Sequence, residues 1–166
     1  MNVQVNSIDV GSRDNGLYIR VNGRATQRTA PTANKIVSDF LAAHATGASI
    51  TIDLYGADFI DSTFAGWMIS ARRRTLKQHG RLVLVGCGER CLTSLAKMQL
   101  STLFEYAPES PAPALRAIQC QTGDRPDKAA LELMLAAHQE LAAVSEQNAE
   151  VFGPIADILK RQLAAG

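Results

Sequence analysis

Three polar residues in a row, Asp61-Ser62-Thr63, follow a strand-like run and precede a helical pattern. Three chemistries suit that placement. Asp61 can cap a helix, Ser62 can attack a substrate, or Ser62 can itself receive a group. Nucleophilic attack needs a nearby base and an exposed serine, usually on a glycine-flanked turn of the G-x-S-x-G type. "DFIDSTFAG" lacks that turn, and no spacing pairs His44, His79 or His138 with Ser62; all three stand on predicted helices or helix ends. A nucleotide enzyme would need a P-loop or G-x-G-x-x-G after its first strand, and neither occurs. Asp53, Asp58 and Asp61 do not by themselves make an aspartyl-phosphate site, because no late lysine is evident beside an acidic pair.

The elements that must position Asp61-Ser62-Thr63 are readable from periodicity. "VQVNSIDV" and "LYIRVNG" alternate as strands, with "GSRDNG" as the turn between them. In the next segment Ile36, Val37, Phe40 and Leu41 share a helical face, with Thr32 or Asn34 as cap and Gly47 as stop. "SITIDLYG" (49–56) and "RLVLVGCG" (81–88) read as buried strands. Between them, Phe64, Trp67, Met68 and Ala71 form an i, i+3, i+4, i+7 stripe on a helix ending near Gly80. Strand, helix, strand at this spacing implies a right-handed βαβ unit with parallel pairing. It places Asp61-Ser62-Thr63 at a carboxyl edge, where open α/β sheets usually carry their sites. Free amides and the helix dipole favour an anion there by ~0.3 to 1 kcal/mol when exposed.

A further helix is expected from Glu89 to about Leu100 with Leu92, Leu95 and Ala96 inward, and "LFEY" suits a short strand. The proline cluster "APESPAP" interrupts regular structure, and "ALRAIQC" is too short to choose between strand and helix. From Asp127 onward a helical hairpin is expected. Leu131, Met134, Leu135, His138, Leu141 and Ala142 form its first apolar face, and Val151, Phe152, Ile155, Ile158, Leu159 and Leu163 its second. Gly153-Pro154 marks a kink in the second arm or its true start. The expected organisation is a domain over 1–110, a proline-containing connector over 111–126 and a hairpin extension over 127–166.

Composition narrows the function. With 17 Lys and Arg against 16 Asp and Glu, the net charge is +1, which gives no reason to expect a nucleic-acid partner. The amino-terminal residues lack a signal-peptide pattern and no apolar run is long enough to cross a bilayer, so a cytoplasmic location is expected and membrane insertion is not. Cys87, Cys91 and Cys120 read as reduced thiols. Cys87 and Cys91 have no second ligand pair at zinc-site spacing, so no metal or cofactor is expected. Arg72, Arg73 and Arg74 fan over about 200° of a helix, which suits a solvated face or the steering of an acidic partner rather than one phosphate clamp. The terminal hairpin should pack on the domain or form a homo-oligomer, since bare stripes of that length are a liability.

The segment "ITIDLYGADFIDSTFAGWMISARRRTLKQHGRLVLVGCGERCLTSLAKMQLSTLF" resembles the STAS domain of anti-sigma factor antagonists. It has an aspartate-ended strand, D-S-[ST] at a helix start, a basic helix closed by glycine, an "LVLVG" strand and a leucine-rich helix ending in L-x-x-LF. The resemblance runs from about Val3 to Tyr106. It implies a STAS α/β fold, with a mixed sheet of about four to five strands and helices, here carrying a carboxyl-terminal helical hairpin. It also implies a non-enzymatic binding protein in a partner-switching pathway. The serine after the aspartate, here Ser62, would be phosphorylated by an anti-sigma factor that is also a serine kinase, and a phosphatase would reset it. Partner contacts would fall on Asp61, Ser62, Thr63, Phe64 and Gly66. Where the family pattern continues D-S-[ST]-G-x-G, Phe64 replaces the first glycine and Gly66 matches the second, so Phe64 would narrow access for the kinase or add an apolar contact. The alternative is a STAS subunit that docks constitutively on a signalling scaffold or membrane transport complex and is never modified.

Overall fold

The computed structural model describes residues 6–108, 111–120 and 125–166. Residues 3–5 of the first expected strand, Glu109 and Ser110 of the proline cluster, and 121–124 of the connector lie outside the described residues.

The chain begins with the expected hairpin, β1 (Ser7–Arg13) and β2 (Gly16–Ala25). Arg13 pairs with Gly16, so Asp14-Asn15 forms a two-residue turn, with Asp14 at φ 54°. Asp and Asn tolerate that left-handed conformation better than other side-chain-bearing residues. α1 (Ala30–Ala43), β3 (Ser49–Asp53), β4 (Ala57–Ile60), α2 (Ser62–Lys77), β5 (Arg81–Val85), α3 (Glu89–Lys97) and β6 (Glu105–Tyr106) follow. β7 (Arg116–Gln119), α4 (Lys128–Ala142) and α5 (Glu146–Ala165) complete the fold.

The strand order is β6-β5-β3-β2-β1-β7, with β4 paired to the end of β2, giving seven strands among the described residues rather than four to five. β2, β3, β5 and β6 pair in parallel, whereas β1 is antiparallel to both β2 and β7. Successive parallel strands advance in one direction, so right-handed crossovers set α1, α2 and α3 on one face. That face of the sheet is apolar, with Ile8, Ile19, Val21, Ile50, Ile52 and Leu84 essentially inaccessible. The opposite face is more polar and carries Asp9, Tyr18, Arg20, Asn22 and Asp53.

Two strands depart from the sequence reading. β4 was merged into the approach to the helix, because "ADFI" has only four residues to show its period. β7 settles "ALRAIQC" as strand and falls inside the expected connector. Smaller differences have local causes. α1 starts earlier, after Thr29, with Pro31 in its first turn; Asn34 is inside the helix and bonds to α2 instead of capping. α3 turns Cys91, Leu95 and Met98 inward and leaves Leu92 and Ala96 exposed, a rotation of about one residue. α5 runs continuously through Pro154. Its buried set is Asn148, Phe152, Ala156 and Leu159, while Val151, Ile155 and Ile158 of the expected face are exposed.

The hairpin does not sit on the sheet. α4 packs along α2 and α5 packs against α4, forming a third layer outside the helices that cover the sheet. This explains why α2 is buried on more than its predicted stripe: Thr63, Ala65, Gly66 and Ile69 are covered as well as Phe64, Trp67, Met68 and Ala71.

Candidate functional site

Asp61 caps α2 as expected. Its backbone is extended, and its Oδ1 accepts from the Phe64 amide at 2.8 Å. Its Oδ2 accepts from the Gln27 amide at 2.8 Å, while its own amide donates to the Ala25 carbonyl at 2.9 Å. The carboxylate thus ties the start of α2 to the loop before α1. Burial pushes the Asp61 carboxyl above its ordinary value; the Phe64 and Gln27 amides and the nearby His138 oppose that shift.

Ser62, half-buried, follows as the first residue of the helix. Its Oγ lies 3.0 Å from His138 Nε2 on α4. The other ring nitrogen, His138 Nδ1, lies 2.7 Å from the Met134 carbonyl, which can only accept. Nδ1 of the neutral ring therefore carries the proton, and Nε2 accepts from the Ser62 hydroxyl. Sequence spacing paired no histidine with Ser62, yet His138 joins it from 76 positions away. The signal was its place on an otherwise apolar face of α4: a buried titratable side chain needs a partner.

A carbonyl, rather than a carboxylate, orients His138. Two cavities flank this end of the fold, the first lined in part by Gln27 and Met134, which bond Asp61 and His138. One, of about 640 Å³, runs between α1, β7 and the start of α4; the other, of about 590 Å³, lies beside Phe59 and α3.

Beyond Ser62, the turn points inward. Thr63 is 2% exposed and Phe64 0%. The Phe64 ring packs against Trp67 at 5.1 Å, and burying such a side chain contributes about 1.5–3 kcal/mol. Phe64 therefore anchors α2 to the core. Trp67 Nε1 donates to Asn34 Oδ1 at 3.0 Å, and Arg74 donates to Asn34 Oδ1 at 3.0 Å and to Ser38 Oγ at 2.9 Å.

Gly66 lies under α4. A Cβ built there would fall 2.1 Å from the Ala137 carbonyl oxygen and 2.8 Å from Ala137 Cα, so only glycine permits this approach. Two turns further on, Arg73 Nε and Nη2 both donate to Glu140 Oε1, at 3.0 and 2.6 Å. Arg73, which stays exposed as read from sequence, is thus tied to α4, and the half-buried Arg74 to α1. At the far end of the layer, Asn148 Nδ2 donates to the Met98 carbonyl at 2.9 Å.

The thiols are free, and burial pushes Cys87 up to about 12. Among the described residues no cluster of His, Cys, Asp and Glu could hold a metal ion. No helix among them is long and apolar enough to cross a membrane.

Residues 7–111 match the STAS domain family model. No curated protein is similar enough in sequence to count as a relative. The fold is similar to that of a candidate anti-sigma factor antagonist, TM1081 from Thermotoga maritima, with TM-score 0.53 and 17% identity over 62% of this chain and 86% of that one. It is also similar to the anti-sigma factor antagonist SpoIIAA in its unphosphorylated form, with TM-score 0.53 and 16% identity over 60% of this chain and 87% of the other. α4 and α5 lie beyond the family match.

Proposed function

The chain belongs to the STAS domain family, and on that premise we propose that it is a non-enzymatic anti-sigma factor antagonist whose partner binding is governed at Ser62. The observation that carries this reading is the placement of Ser62, a half-buried hydroxyl at the start of α2 just after the Asp61 cap. In this reading an anti-sigma factor that is also a serine kinase binds the unmodified form in the cytoplasm. Ser62 Oγ then forms a bond to the γ-phosphorus of ATP, the bond to the ADP leaving group breaks, and the hydroxyl proton passes to a base of the kinase. A phosphatase hydrolyses the ester and restores binding.

The physical logic follows from charge. A phosphoserine carries about −1.5 to −2 charges at neutral pH, and inside a docking surface it imposes desolvation and repulsion, to which Asp61 would add. Shifting a partner from 99% to 1% bound requires about 5.5 kcal/mol, so the modified residue must sit within the interface. The contact surface in this reading includes Asp61, Ser62, Thr63 and Gly66, with Phe64 supporting them from beneath. A titration with an anti-sigma factor of the serine-kinase type tests it. Ser62→Ala should bind and Ser62→Asp should not; equal affinity of the two variants would reject the switch.

The bond already made between Ser62 and His138 favours one second reading, a constitutively docking subunit of a scaffold or transport assembly in which Ser62 is never modified. Equal affinity would favour that alternative.

A further inference from the structure

We propose that α4 is an intramolecular occupant of the Ser62 surface, so that exposure of Ser62 to an enzyme or partner and docking of α4 on α2 exclude each other. Its functional meaning rests on the Ser62 switch just described, but its physical content does not.

Three contacts along one seam carry the inference. At the first turn of α2, the Ser62 hydroxyl donates to His138, whose side chain is only 4% exposed. One turn on, Gly66 meets the Ala137 backbone with no room for a side chain. Two turns further, Arg73 pairs with Glu140. The histidine, the alanine and the glutamate all belong to α4, which lies outside the family match. The residues it meets at this end of α2, Ser62 and Gly66, are among those the STAS pattern implicates in partner contact. A protein that reads this turn must therefore take the place of α4.

The seam is also chemically specific for the unmodified serine. When the ring is neutral, His138 Nδ1 donates to the Met134 carbonyl and Nε2 offers a lone pair. A hydroxyl satisfies it, whereas a phosphate presents acceptors alone and is too bulky for the 3.0 Å gap between Oγ and Nε2. A phosphate on Ser62 does not fit the seam as it stands, and α4 should leave. The closed form thus shields Ser62, and the phosphorylated form keeps the hairpin open.

The experiment uses the full chain with phosphoserine installed at position 62 by codon reassignment, compared with unmodified protein by amide hydrogen exchange. The expected result is at least tenfold faster exchange over α4 and α5, with the strands β2, β3 and β5 unchanged; those strands report that the domain remains folded. Unchanged protection of α4 would overturn the proposal, since the phosphate would then be accommodated by turning outward or by pairing with a protonated His138. A second arm needs no phosphate. In Ser62→Cys, maleimide labelling at position 62, mapped by peptide mass, should be at least tenfold slower than in the unfolded chain. Adding Ala137→Trp should restore the fast rate by lifting α4. Free-thiol labelling at position 62 with the hairpin intact would also overturn the proposal. Neither arm requires a kinase or partner, so failure of the Ser62 switch and failure of the occupant proposal are separately visible.

Discussion

Gly66 and Ala137 meet backbone to backbone: a methyl group on Gly66 would stand 2.1 Å from the Ala137 carbonyl oxygen. That contact sets how closely α4 can lie on α2, and so whether His138 reaches Ser62.

Gly66→Ala should therefore weaken the hairpin rather than the sheet. Overpacking of this kind costs typically about 1–3 kcal/mol, here offset in part because alanine is the better helix former. Chemical denaturation should show the loss, and limited proteolysis should cut first within 125–166. An unchanged midpoint with an uncut hairpin would mean that α4 accommodates the added methyl without loosening.

Asp61 combines two opposed effects. Its two amide bonds stabilise the cap, while burial of its charge raises its pKa in the fold. The sign follows from linkage: the folded form holds the proton more tightly, so the contribution of this group falls as pH rises through 3.8 toward the folded value. Asp61→Asn keeps the acceptor for the Phe64 amide and removes the buried charge but turns a donor toward the Gln27 amide, so it should be near neutral at pH 7. Asp61→Ala should lose about 0.5–2 kcal/mol, as removal of a helix cap does. Thermal unfolding of the two variants at several pH values checks both expectations.

Asn34 serves two donors on α2, Trp67 and Arg74. Asn34→Leu leaves the Trp67 indole N–H, on a residue 3% exposed, without its acceptor. The expected loss is about 1–3 kcal/mol, accompanied by a change in the fluorescence of this single tryptophan.

Cys87 supplies a test at alkaline pH. Its thiol is pushed from 9.0 up to about 12, first by burial and then by Cys91 and Asp53. The folded state therefore keeps a proton that the unfolded chain releases above pH 9, and stability attributable to Cys87 should decline as pH rises from 9 toward 12. Cys87→Ala should flatten that part of the profile; identical alkaline profiles would contradict the assignment.

Much of the core was legible in the sequence because it repeats a period. The hairpin β1-β2, the parallel strands β3 and β5, and helices α1 to α5 all announce themselves through alternation or i, i+3, i+4 stripes. β4 was not legible, since four residues are too few to establish a period, and β7 takes its conformation from pairing with β1. The Asp61 cap could be read locally, because a cap is a matter of three residues. The partner of Ser62 could not. His138 reaches it only through the docking of α4 on α2, a contact set by a glycine in one helix and an alanine in another. The same docking gives Arg73, which stays exposed, its partner Glu140.

The most direct measurement is phosphosite mapping of the full chain and its Ala137→Trp variant after incubation with ATP and an extract of the cells that produce it. The account predicts phosphate on Ser62, at higher occupancy in the variant than in the parent chain, and none at that position in Ser62→Ala. Ser62 unmodified in both forms, in an extract that phosphorylates other STAS serines, would contradict it.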